Sequence, residues 1–318
     1  MKKIIFRFLI FTLLLIFSFI TYLSTIGINT DAFNNQISKE VKKIDNQLEL
    51  DLDKIIIILD PFKFELMLKT VGANLKNRNK LIKLESIKSN IDIKTFINKK
   101  FSLSELDITT RTIEIKNLIS FIRSIKDSPQ IYILEKFVKK GYLIADINLK
   151  FDQKGNIKDD FIIEGFIKDG EVKPLKKINL SKINLIFNLQ NNKFEFKDIN
   201  LSYDNNDLNF PELNIKKQKN KFLVSGKNNS KNLVLDNKKI NQLLINDFSN
   251  LKIKSAEFDL ENTFSFKIDN KYKIDDLKIN SLLNLKNSKV VSSKNLKEFF
   301  PELNEIIELS DHQIQIEY

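Results

Sequence analysis

The 318-residue chain contains no cysteine, no tryptophan and a single histidine, His312. Without cysteine there is no disulfide framework and no thiolate zinc site. A Ser-His-Asp triad, a His general base or a His-based metal centre would have to use His312. That residue falls at an expected helix-to-strand junction and reads as an ordinary one. The G-x-S-x-G, Walker A, G-x-G-x-x-G and H-E-x-x-H patterns are all missing. Adjacent carboxylates occur at Asp159-Asp160 and Asp275-Asp276, both at expected turns. Without a Trp platform they are a poor match to a glycosidase pair. The Asp204–Asp207 stretch is a turn composition before it is a calcium site. The expectation is a protein that is not an enzyme, with no cofactor and no metal.

Arginine is also scarce. The net charge is +11, yet only Arg7, Arg78, Arg111 and Arg123 accompany 48 Lys. Nucleic-acid readers rely on Arg for bidentate contacts to bases, and here the Lys alternate along strands instead of clustering. They read as solvated outer faces, with no nucleic-acid partner expected.

What the chain does have is a long apolar run at its start. Lys2, Lys3 and Arg7 precede an uncharged stretch from Phe8 to Ile28. A bilayer core of roughly 30 Å needs about 20 apolar helical residues. The basic tip should stay cytoplasmic, sending the remainder across the membrane. A secretory signal has a shorter apolar region and an A-x-A-like exit; Ser24-Thr25-Ile26-Gly27 is a poor cleavage site. Residues 1–28 therefore read as a tip and transmembrane anchor, and 29–318 as a non-cytoplasmic body. Cleavage near Thr30 would give the same destination.

Two periodicities follow. Phe33, Ile37, Val41 and Ile44 lie on one helical face, so a helix is expected over 31–45. The period then becomes two: Leu48, Leu50 and Leu52 alternate with Glu49, Asp51 and Asp53 and lead into Ile55–Leu59. Strand and turn alternate from there. A helical interlude is expected at about 117–139, closed by Gly141 as a C-cap, with further helices at 236–247 and 293–309. Leu143, Ala145, Ile147, Leu149 and Phe151 form the most regular strand, and Ile183, Leu185 and Phe187 another. Turns are expected at Lys154-Gly155-Asn156, Asp169-Gly170, Asn191-Asn192, Asn205-Asn206 and Lys219-Asn220. Leu251–Leu260, Thr263–Ile268, Tyr272–Ile279 and Leu282–Leu285 read as separate strands. A parity shift near Lys197-Asp198 predicts a bulge. The fold class is mainly β: an N-terminal transmembrane helix, then a long antiparallel, twisted meander or groove with a few flanking helices. Gln313–Tyr318 opens a new alternation and stops, as an N-terminal portion of something longer would.

An anchor, a short amphipathic helix and then Leu48–Leu59 opening an antiparallel series resemble the AsmA-like superfamily of Gram-negative envelopes, with its TamB-, YhdP- and AsmA-type members. The strands and turns from Gly141 to Gly226, including Ile163-Glu164-Gly165, Asp169-Gly170 and Val224-Ser225-Gly226, add to the likeness. The family has no catalytic signature to carry over. The resemblance implies an inner-membrane protein, its bulk periplasmic, whose apolar β-groove carries phospholipids between the inner and outer membranes. Outer-membrane or periplasmic proteins would complete the path. The alternative is a non-conducting scaffold that assists outer-membrane protein assembly. Leu48, Leu50, Leu52, Leu143, Ile147, Leu149, Phe151, Ile183, Leu185 and Phe187 are the candidate groove lining; in a closed sandwich they would be its core.

Overall fold

The computed structural model describes residues 2–31, 34–63, 65–92, 103–152, 158–175, 178–236, 252–271, 273–291, 306–309 and 312–317. The fold is mainly β and antiparallel, with an N-terminal apolar helix and few other helices, as the alternation requires. The chain forms two compact units: residues 1–166 with 189–191, and residues 167–188 with 192–318.

The first unit begins with α1 (Lys2–Thr25), followed by β1 (Ile28–Thr30), α2 (Asn34–Ile44), β2 (Leu48–Asp51), β3 (Ile55–Asp60), β4 (Glu65–Val71), β5 (Asn74–Asn77), β6 (Lys80–Asp92), β7 (Leu103–Thr110) and β8 (Ile113–Glu114). Helices α3 (Ile115–Ile125) and α4 (Pro129–Phe137) lead into β9 (Val138–Lys150), and β10 (Ile162–Leu175) starts here. Antiparallel pairing runs β1–β3–β4–β6–β7–β9, with β2–β5–β6 as a side ladder. Helix α2 is tied down by its side chains: Asn34 Nδ2 donates to the Leu52 carbonyl (3.3 Å) and Ser38 Oγ to that of Leu50 (3.2 Å). Helix α4 starts where Ser128 Oγ accepts the Ile131 N–H (3.3 Å), with Pro129 in its first turn.

The second unit takes the end of β10, then β11 (Ile178–Gln190), β12 (Lys193–Tyr203), β13 (Asn206–Gln218), β14 (Lys221–Asp236), β15 (Lys252–Asp269), β16 (Ile274–Val291), β17 (Ile306–Leu309) and β18 (His312–Glu317). From β12 to β16 each strand pairs with the next, and β16 then pairs with both β17 and β18. The tight turns use left-handed residues: Asn192 (φ 62), Asp204 and Asn205 (φ 50 and 66) and Lys219 (φ 54). At Asp204-Asn205 positive φ at both central residues suits the twist of a two-residue hairpin. Buried Asn206 acts as an extra peptide unit: its Oδ1 accepts the Val234 N–H (2.6 Å) and its Nδ2 donates to the Val234 carbonyl (3.0 Å).

Several expected breaks are strand interior. Asp169-Gly170 lies within β10 as an irregularity with Asp169 at φ 53. Gly141 lies inside β9, and α4 ends instead at an extended Val138. The pairs of short strands expected over 251–268 and 272–285 are the single 18-residue strands β15 and β16, each about 60 Å long at ~3.3 Å per residue. Asp275-Asp276 is the start of β16 rather than a turn, with Asp276 at φ 52. Residues 306–309, the end of an expected helix, form β17; its remainder, most of the 236–247 helix and the Lys154-Gly155-Asn156 turn lie outside the described residues. Near Asp198 (φ 50) the parity shift is real: Asp198 and Pro211 drop out of the ladder opposite each other, so both strands change face together and the register is unbroken.

Candidate functional site

An antiparallel sheet with one apolar face must cover that face or offer it to something. In the first unit it is covered. Leu48, Ala73, Ile82, Leu84, Ile113 and Phe121 are buried together, with Val41 of α2 and Leu118 and Ile125 of α3 packed on them. Ile55, Leu68 and Ile91 form a second cluster under Ile37 of α2. The candidate lining residues of this unit meet here. Leu48 is buried, Leu50 and Leu52 flank it, and Leu143 and Ile147 pair across strands with Ile113 and Ile108 of the same cluster. Leu149 continues their face opposite Leu106. Phe151 lies just past β9, its N–H bonded to the Ser104 carbonyl (3.0 Å).

The second unit differs. Cross-strand partners share a face, so registers trace rows across it. One row runs Phe194, Ile215, Val224, Phe266; the next runs Phe196, Leu213, Gly226, Phe264, Ile279. The rings of Phe264 and Phe266 stack with centroids 6.3 Å apart. Further along β15, Leu233, Ala256, Phe258 and Leu285 are buried together, joined by Leu208, Leu235, Leu260 and Leu283. A polar row of Asn228, Asn262 and Ser281 separates the two apolar patches. The described residues of this unit include no helix, and β12–β16 pack chiefly on their neighbouring strands. Ile183, Leu185 and Phe187 share one face of β11 by alternation, and Phe187 is buried. Alternation in the sequence already sets Phe194 and Phe196, and Phe264 and Phe266, on one face of their strands as possible groove lining; the error lay in dividing β15 and β16 into four short strands.

The opposite face is polar and carries a hollow of about 740 Å³, crossed by the row Glu212, Lys227, Thr263, Asn280, Glu317. Lys227 Nζ lies 2.8 Å from Glu212 Oε1. At the hairpin end of this unit, Lys221 Nζ is 2.7 Å from Asp275 and Lys267 Nζ is 2.7 Å from Asp276. These hydrogen bonds hold both carboxyls below the usual range and raise Lys221. Asp259 is lowered by Lys286 and by the Asn232 N–H. Each carboxylate has a nearby cation, so none is poised as an acid. No group of three or more His, Cys, Asp or Glu that could hold a metal occurs among the described residues.

Helix α1 is the remaining feature. Its Lys3–Thr25 segment is long and apolar enough to cross a membrane and is not buried in the protein. Lys3 and Arg7 stand in its first turns, Phe8 opens its uncharged run, and Ile28 is already the first residue of β1. The hydroxyls of Thr12, Thr21 and Thr25 donate to the carbonyls of Phe8, Phe17 and Thr21 (2.9, 2.8 and 2.7 Å), returning their polarity to the helix. No family model, curated protein or solved structure matches the chain.

Proposed function

We propose that the chain is a membrane-anchored lipid-binding protein whose second unit offers the apolar face of β12–β16 to phospholipid acyl chains. The observation that carries this reading is the contrast between the two units. The first unit's apolar face has two helices on it, whereas the Phe- and Leu-rich face of the second has none among the described residues. Each Å² of apolar surface taken from water is worth about 25 cal/mol, and apolar contact is non-directional. The face therefore accepts acyl chains of differing length and unsaturation. In the fuller form of the proposal, the protein sits in an inner membrane with its body in a periplasm and carries phospholipid toward an outer membrane, as AsmA-like proteins would.

The test uses the full chain in membranes, with a photo-crosslinking residue at Phe266 on the apolar face or at Ser265 on the polar one. Phospholipid adducts at 266 and not at 265 are expected. Equal adducts at both, or none at 266, reject the reading. The hollow on the polar face favours a second reading, a scaffold that docks a polypeptide there. Protein adducts from Thr263 without lipid adducts from 266 would establish it instead.

A further inference from the structure

Phe62 has the largest exposure of the large apolar side chains described, 96%. It stands just past the end of β3, where residues 60–63 are held by hydrogen bonds: Asp60 Oδ1 accepts the N–H of Phe62 (3.0 Å) and of Lys63 (3.1 Å). An aromatic ring held fully in water, beside a lysine, needs a reason.

The direction of the turn supplies one. Ile28 pairs with Ile57 and Thr30 with Ile55, so β1 covers the Ile55–Ile57 stretch of this sheet edge. Helix α1 also packs on β3, which leaves it the Ile58–Asp60 end. Gly27 marks the junction: a Cβ there would lie 2.5 Å from the Ile57 carbonyl and close to the Ile56 and Ile58 side chains. Going back from Ile28 into α1 thus follows the direction from Ile57 to Asp60. Three strand residues cover about 10 Å, the height of about seven helical residues, so Asp60 is level with the last turns of α1 and Phe62 lies on the membrane side of Gly27. The helical hairpin lies the other way. Ile147 of β9 is in the same row as Ile55, through Ile108, Ile87 and Thr70. α4 joins β9 at Val138, about 30 Å further from Asp60.

We propose that the turn just past β3 is a second membrane contact. Phe62 enters the boundary between head groups and acyl chains of the leaflet that α1 leaves, with the Lys63 ammonium among the lipid phosphates. This rests on α1 crossing the membrane but not on the lipid-carrying role of the second unit. Two points at one end of the sheet, a spanning helix and an inserted ring, would set how the first unit stands on the bilayer.

The chain has no tryptophan, so Phe62→Trp, Tyr22→Trp and Tyr132→Trp each report from one place. Each full-length variant is reconstituted in phosphatidylcholine vesicles with and without dibrominated acyl chains. The expected result is strong quenching and a blue-shifted emission for Phe62→Trp and Tyr22→Trp, with neither for Tyr132→Trp on α4. Quenching at 22 without quenching at 62 overturns the proposal and leaves the span standing. Quenching at neither overturns the span as well. Equal quenching at 132 overturns the orientation. Phe62→Cys carrying an environment-sensitive nitrobenzoxadiazole label, specific because no other cysteine exists, is the second readout: a blue shift on adding vesicles is expected, and none rejects the contact.

Discussion

The ring of Phe264 lies over Gly226. The two are cross-strand partners on β15 and β14, and a Cβ at position 226 would fall 2.7 Å from Phe264 Cζ and 3.0 Å from the Glu212 carbonyl oxygen. A glycine with an aromatic lid fills the gap that its missing side chain leaves in the sheet face. Gly226→Ala should therefore destabilise the second unit by about 1–3 kcal/mol through overpacking. Urea denaturation measures it, and Phe264→Leu in the same chain should recover part of the loss.

Leu48 on the sheet and Phe121 on α3, which packs over it, are both 4% exposed in the core of the first unit. Leu48→Ala should cost about 2–5 kcal/mol and Phe121→Ala about 3–5. Both losses should appear in the unfolding of the first unit. A loss below 1 kcal/mol at both positions would show that the helices do not seal this face.

Gly27 has φ 73 and no room for a side chain against Ile57. Gly27→Ala adds about 1 kcal/mol of left-handed strain to a clash with backbone. The expected outcome is a loosened β1–β3 pairing, seen as faster hydrogen exchange at the amides of Ile28–Thr30 with β12–β16 unaffected.

Acid should weaken the hairpin end of the second unit. The carboxyls of Asp275 and Asp276 are depressed by Lys221 and Lys267, so their stabilising contribution is present above the ordinary carboxylate range. It is lost as pH falls below about 4. Lys221 is raised, so its contribution is present through neutral pH and lost only above the usual lysine range. These pairs are partly exposed and screened by solvent and salt. Asp275→Asn with Asp276→Asn should flatten the acid limb of urea midpoint against pH, with a small loss at neutrality.

Arg123 holds α3 and α4 together. Its Nε lies 3.1 Å from Asp127, its Nη1 2.5 Å from Glu135, and its guanidinium 4.9 Å from the Tyr132 ring centroid. Arg123→Lys keeps the charge but loses the planar fork. Faster exchange over 129–137, without change in β6 or β7, is the expected signature.

Alternation in Leu48–Leu52 and Leu143–Phe151, and the helical spacing from Ile37 to Ile44, were enough to read β2, β9 and α2, but the run Leu48–Leu59, continuous in the sequence, is the two strands β2 and β3 in different ladders. Breaks were harder. Asp169, Asn232 (φ 53) and Asp276 are turn residues by type, yet each adopts the left-handed conformation inside a strand; at Asn232 and Asp276 the register shifts, so that an extra residue bends the ladder without ending it. A hairpin and a bulge ask the same of the local backbone; only the neighbouring strand's register tells them apart, and that is long-range. Gly141 failed as a C-cap for a related reason: α4 gives way to β9 already at Val138, whose strand pairing with Ile113 and Ile108 is remote in sequence. For the site, alternation sets Leu48, Leu50 and Leu52 on one face of their strand and Leu143, Ile147 and Leu149 on one face of β9; it does not relate the two strands. That α3 covers this face through Phe121 depends on a chain reversal that no local pattern encodes.

The junction at Gly27 has a mechanical consequence. Only Ile26 and Gly27 separate the end of the apolar segment from β1, and the Tyr22 carbonyl accepts both of their N–H groups (2.9 and 3.2 Å), so little slack lies between helix and sheet. At 1.5 Å per residue the 23-residue apolar segment is about 35 Å long, more than the roughly 30 Å of a hydrocarbon layer. Were it to cross a bilayer, it would absorb the excess by leaning, and a stiff joint would make the first unit lean by the same angle, like a pointer on its dial. Thinning or thickening of that bilayer would then become a swing of the β-sheet.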